Sequence, residues 1–278
     1  MSAAVVALAL AAAVTHAAWN AFLRSGADRL WTVTVMSMAM TVVALPFAAL
    51  LPLPPGAAWP YLVLSAALQV GYSVLLVAAY RQGDLGQVYP IIRGSVPLLV
   101  ALGGFVLAGQ ALRPASIAGI VLIASGIMGL AVGQGRAKLV PVLWALAAGL
   151  VIAAYAMVDA VGVRAAGDPI AYTAWICLLY GAFLPATFVL ARGRIAIDAR
   201  SPETWKAAGG GLASLAAYGL VVAAFAAGPA GPVTALRETS VVFASLIGWA
   251  FLGEPVTRRR LLACFAVTIG AICIGYGG

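Results

Sequence analysis

Long apolar runs separated by short clusters of charge, glycine and proline make up nearly the whole chain. From Leu30 to Tyr80 no residue is ionised, and the one interruption is Leu51-Pro-Leu-Pro-Pro-Gly56, a turn between two runs long enough to cross a bilayer. The same division predicts helices near 3–23, 31–51, 59–80, 86–109, 115–133, 139–161, 169–191, 205–227, 231–252 and 261–277. The runs are continuous rather than alternating, whereas a membrane barrel needs strands of ~10 residues with every second one apolar. The pattern therefore predicts an all-α integral membrane protein with ten transmembrane helices.

The pattern also repeats. A shift of 144 residues lays Arg93 on Arg237, Gly109 on Gly253, Gln110 on Glu254 and Gly126 on Gly270. A shift of 140 lays Arg24 on Arg164 and Asp28 on Asp168. Two nearly constant offsets predict duplicated five-helix halves, residues 1–138 and 139–278. Because five is odd, the second half must enter the membrane from the opposite side, giving two inverted repeats. In that architecture a substrate site lies near the midplane between the halves, and one chain supplies both, so a monomer suffices.

Composition agrees with a membrane setting. Of 278 residues 64% are hydrophobic and 9% are charged, against roughly 25% charged in soluble domains, so no separate soluble domain is expected. The net charge of +8 does not point to nucleic acid, because it sits in the gaps between spans. The loops after the first, third, fifth, seventh and ninth spans hold twelve Lys and Arg residues, and the alternate loops hold only Arg113 and Arg164. The positive-inside rule then places the first set in the cytoplasm and both termini outside. The first twenty residues lack a basic start and are expected to remain as a helix rather than be removed as a signal. Cys177, Cys264 and Cys273 lie in apolar runs without metal-ligand spacing, which predicts no metal site and no disulfide framework.

The first span carries His16-Ala-Ala-Trp-Asn20, and the ninth opens with Gly228-Pro-Ala-Gly-Pro-Val-Thr-Ala-Leu-Arg-Glu-Thr-Ser240 and closes with Phe251-Leu-Gly-Glu-Pro255. In this order and spacing, over the whole chain, the sequence resembles the EamA-type transporters of the drug/metabolite transporter superfamily. The resemblance implies a ten-helix basket moving amino acids, other metabolites or amphipathic drugs across a bacterial inner membrane, with the fifth and tenth spans packed far from the site. It also implies both termini in the cytoplasm, opposite to the loop count.

An ionisable group at the centre of a span costs roughly 2.5–3.5 kcal/mol on insertion scales, so such groups face a cavity or a partner. The candidates are His16, Arg93, Asp159, Arg237 and Glu238. Arg93, in the proline-kinked Tyr89-Pro-Ile-Ile-Arg-Gly-Ser-Val-Pro97, and its repeat mate Arg237 are predicted at similar depth on either side of the two-fold. Two guanidinium forks facing one cavity suit a carboxylate or phosphate. Asp159 and Glu238 are either proton-coupling sites or counter-ions. Adjacent residues on a helix lie about 100° apart, so Glu238 is expected to pair with Arg93 rather than Arg237, with Asp159 as the alternative partner of Arg237. His16, Trp19 and Asn20 form one polar stripe, and Tyr72, Tyr155 and Trp175 are further candidates for substrate contact.

With no P-loop and a single histidine, the sequence supports neither ATP-driven pumping nor a nucleophilic triad, and no cofactor is expected. The residues favour a secondary transporter of a small zwitterion or anion working by alternating access, with protons as the coupling ion if one is used. Two other readings fit the same list: an exporter of lipophilic cations, in which the acids bind the cation and the arginines are structural, and a non-transporting membrane scaffold.

Overall fold

A computed structural model describes residues 1–24, 28–82, 85–131, 139–252 and 257–277. The described residues form α1 (Ala3–Arg24), α2 (Arg29–Leu50), α3 (Trp59–Gln82), α4 (Leu85–Ala108), α5 (Pro114–Gly129), α6 (Leu139–Ala166), α7 (Pro169–Arg192), α8 (Pro202–Ala227), α9 (Ala230–Arg237), α10 (Ser240–Leu252) and α11 (Arg258–Gly277). Seven of these are long and apolar enough to cross a membrane, and α1 and α5 supply shorter apolar stretches.

The predicted ninth span, 231–252, is not one helix. It breaks into α9 and α10 at Glu238 and Thr239, where the Glu238 N–H is shared between Thr234 O at 3.2 Å and Ala235 O at 3.1 Å and the Thr239 N–H turns to Leu236 O at 3.1 Å. The Thr239 hydroxyl also donates to the Leu236 carbonyl at 2.7 Å, giving the backbone a local partner in place of the regular ladder. Every residue from Ala230 to Ser240 is buried, so the break lies inside the protein.

Packing follows the two-fold that the repeat predicts. Taking α1–α5 in order onto α6, α7, α8, the α9–α10 pair and α11, the contact of α1 with α8 maps onto that of α6 with α3, and both are extensive. The helices α2 and α7 pair across the axis, as do α5 and α11. Local chemistry repeats too. Asp28 caps α2 by accepting from the Leu30 and Trp31 N–H groups, and Asp168 caps α7 by accepting from those of Ile170 and Ala171. Asp168→Ala is expected to cost about 0.5–2 kcal/mol, the usual worth of an N-cap, seen as a lower thermal midpoint in detergent.

The contact of α5 with α11 is made by small residues. A Cβ on Gly119 would lie 2.5 Å from the Gly270 carbonyl, and one on Gly126 would lie 3.1 Å from that of Ala263. Under the 144-residue shift these two contacts are the same contact seen from each repeat. Of the other glycines that the sequence sets in the fifth and tenth apolar runs, Gly129 and Gly275 have open space around the Cβ position, and Gly133 lies outside the described residues.

Candidate functional site

One cavity of about 110 Å³ lies between the halves. Its wall comes from both repeats: His16 and Trp19 on α1, Arg29, Val33, Met36, Ser37 and Met40 on α2, and Gln69, Tyr72, Ser73, Leu76 and Val77 on α3. The second half adds Tyr155 on α6, Tyr180 on α7, Ser214, Ala217, Tyr218 and Val221 on α8, and Arg237 on α9. The helices α5 and α11 contribute nothing to the wall and pack against each other instead.

The cavity reaches Arg29, at the end of the bundle where the Lys- and Arg-rich loops lie. At the other end Trp59, at the start of α3, meets Trp175 near the start of α7 edge to face, with centroids 5.1 Å apart. There Arg164, in the last turn of α6, donates to the Gly228 carbonyl between α8 and α9 at 2.7 Å.

Behind one wall lies a buried charge cluster. Glu238, fully buried, holds Arg93 on one oxygen, Oε2 to Nε at 3.1 Å, and Arg237 on the other, Oε1 to Nη2 at 3.0 Å. The predicted pairing of Glu238 with Arg93 is thus present. The expectation that Glu238 does not pair with Arg237 is overturned: Glu238 keeps helical backbone angles, φ −69° and ψ −10°, and the two long side chains close the gap. Arg237 does not pair with Asp159.

Nor do the two arginines face the cavity together. Arg237 lines it, whereas Arg93 lies behind His16, against the Nε2 edge of the imidazole, with its guanidinium 5.7 Å from the centroid of the Tyr89 ring. The indole N–H of Trp19 donates to His16 Nδ1 at 2.9 Å, so the predicted α1 stripe joins the cavity to the cluster. Arg237 Nε is buried without a hydrogen-bond partner. Arg93 Nε is buried without one as well, so what sets Arg237 apart is that it lines the cavity and Arg93 does not.

Asp159 is fully buried and does not reach the cavity wall. Its carboxylate accepts from the Tyr172 hydroxyl on α7 at 3.0 Å and from the Tyr218 hydroxyl on α8 at 2.8 Å. Tyr72 and Tyr155 both line the cavity, with centroids 6.3 Å apart. Trp175 does not line it, because its ring is spent against Trp59. The side chain of Asn20 lies outside the described residues.

Sequence reasoning missed Gln69, Tyr180 and Tyr218. Gln69 carried a usable signal, an amide in the middle of an apolar span. The two tyrosines carried none, since a packing tyrosine and a lining one look alike in sequence. Tyr218 is central here, accepting from Gln69 Nε2 at 3.3 Å while donating to Asp159.

The fold and the cavity between its halves define the class, a ten-span membrane protein of two inverted five-helix repeats. The model of the EamA-like transporter family matches residues 3–132 and again 139–276. The chain belongs to that family and is a membrane transporter, which removes the scaffold reading. A solved crystal structure superposes with a TM-score of 0.75 over 97% of this chain and 94% of its own, at 18% identity, and shares the fold. No curated protein sequence matches.

Proposed function

We propose that this protein is a secondary transporter that moves a small zwitterion or anion, with amino acids the favoured class, across a bacterial inner membrane by alternating access. Arg237 carries the reading. It is a buried guanidinium on the cavity wall, it shares one carboxylate with Arg93, and its Nε has no hydrogen-bond partner. Two arginines against one glutamate leave the cluster one positive charge in excess, and a substrate carboxylate on Arg237 balances it. The rings of Tyr72, Tyr155, Tyr180 and Tyr218 suit an ammonium or an apolar side chain at the same time.

An exporter of lipophilic cations is supported less well, since neither intramembrane acid faces the cavity: Glu238 is held by two arginines and Asp159 lies behind tyrosines. The Arg29 end carries the basic loops and is taken as cytoplasmic by the positive-inside rule, so the conformation described is inward-facing, with both termini outside.

The test is thermal stabilisation of the detergent-purified protein by amino acids, small organic anions, phosphonates and lipophilic cations. Ligand at about 100 times its Kd stabilises a folded state by about 2.7 kcal/mol. Zwitterions or anions are expected to raise the midpoint, and Arg237→Ala is expected to remove the rise while leaving Glu238 paired with Arg93. A rise with cations alone, or one that survives in Arg237→Ala, would sink the proposal.

A further inference from the structure

Among the described residues, every other intramembrane charge has an oppositely charged partner or shares one: Arg93 and Arg237 share Glu238. Asp159 has no Lys, Arg or His within ion-pair distance among the described residues, and both its oxygens rest on tyrosine hydroxyls. A fully buried carboxylate held only by neutral donors is the one acid here whose charge is not already committed to a cation. It is also connected to the cavity. Tyr218 lines the cavity and donates to Asp159 Oδ2, and Gln69, which also lines it, donates to the Tyr218 oxygen.

We propose that Asp159 is a proton-exchange site of the transport cycle, reached from the cavity through the Tyr218 hydroxyl. In the inward step a proton from cavity water arrives on the Tyr218 oxygen as the tyrosine's own proton passes to Asp159 Oδ2. Tyr218 stays neutral throughout, the carboxylate becomes a carboxylic acid, and the water is left as hydroxide until it takes a proton from the bulk. The protonated acid then donates to Tyr218, and the tyrosine O–H turns toward the cavity, where it can serve an anionic group on the substrate. Proton and substrate are thereby linked through one rotating hydroxyl.

The groups around Asp159 are consistent with this role. From α7 it faces Tyr172 and Cys177, from α8 Tyr218, from α3 the neutral Ser65, and from its own helix Tyr155; Arg237 on α9 acts on it from beyond ion-pair distance. Tyr172 is fully buried, so the path through Tyr218 leads to the cavity and the one through Tyr172 does not. The 140-residue shift places Trp19 where the second half has Asp159, so the site belongs to one repeat only.

Use of this proton in transport rests on the function proposed above, but the test needs no substrate. The wild-type protein in lipid is followed by infrared difference spectroscopy as pH falls, and a carboxylic-acid carbonyl band is expected to grow in. One component of that band should be missing in Asp159→Asn, and Tyr218→Phe should keep that component while changing its apparent proton affinity about tenfold. Should Asp159→Asn fail to fold, aspartate labelled with carbon-13 at its carboxyl must shift the wild-type band. Titration bands identical in wild type and Asp159→Asn, a wild-type band that ignores the label, or an unchanged affinity of the Asp159 component in Tyr218→Phe overturns the proposal. Any of these failures would leave the ligand results for Arg237 untouched.

Discussion

Glu238→Ala is expected to destabilise the protein by about 3–5 kcal/mol, the cost of removing one member of a buried ion cluster. The carboxylate is fully buried, and its two oxygens each hold an arginine, at 3.1 and 3.0 Å. Without it two guanidinium groups lie close together inside the membrane-embedded bundle, repelling each other with no carboxylate paired to either. The Coulomb term that offset their desolvation is gone while the desolvation remains. The measurement is the thermal midpoint of purified protein, compared with Arg237→Ala. The arginine variant is expected to lose less, because it leaves a one-to-one pair of Arg93 and Glu238. If Arg237→Ala is the more damaging of the two, Glu238 is not what neutralises the arginines.

Gly270→Leu is expected to cost about 1–3 kcal/mol or more by overpacking. A Cβ at this position would lie 2.6 Å from the Gly119 carbonyl and 3.2 Å from the Ile123 amide nitrogen, both backbone atoms of α5. Backbone cannot swing aside as a side chain does, so α11 must move off α5 and give up the close approach that small residues allow. The two-fold gives a built-in comparison, since Gly126→Leu on the facing helix meets the Ala263 carbonyl and should damage the same seam. Gly275→Ala, with open space at its Cβ, should be near neutral. Equal midpoints for the Gly270 and Gly275 variants would mean that the seam does not depend on small residues.

Which parts of the site could be read in advance depended on what generated each signal. Rarity made His16, Arg93, Arg237 and Glu238 visible, because an ionisable residue in an apolar run is costly unless it has a partner, and all four do meet in one cluster. Their arrangement was not legible. Neighbours on a helix leave the backbone about 100° apart, and only the paths their long side chains take bring Arg237 to Glu238, with Arg93 arriving from α4. The aromatic residues divide for a related reason. Tyr72 and Tyr155 line the cavity while Trp175 meets Trp59, and that difference comes from which helix each faces, not from the residue type.

The sequence by itself determined the membrane setting, the ten spans, the duplication into inverted halves and the small residues of the fifth and tenth spans. Each of these is a property of residue type and spacing along one chain: apolar length sets a span, an odd number of spans sets the inversion, and the lack of a side chain sets how closely helices approach. The tertiary structure alone decided that one carboxylate serves two arginines, that Arg237 and not Arg93 reaches the cavity, and that Tyr218 stands between the cavity and Asp159. These depend on side chains from four or more helices meeting at one depth. The rotation and tilt of each helix set that meeting, and in a chain apolar on nearly every face the hydrophobic pattern leaves rotation undetermined.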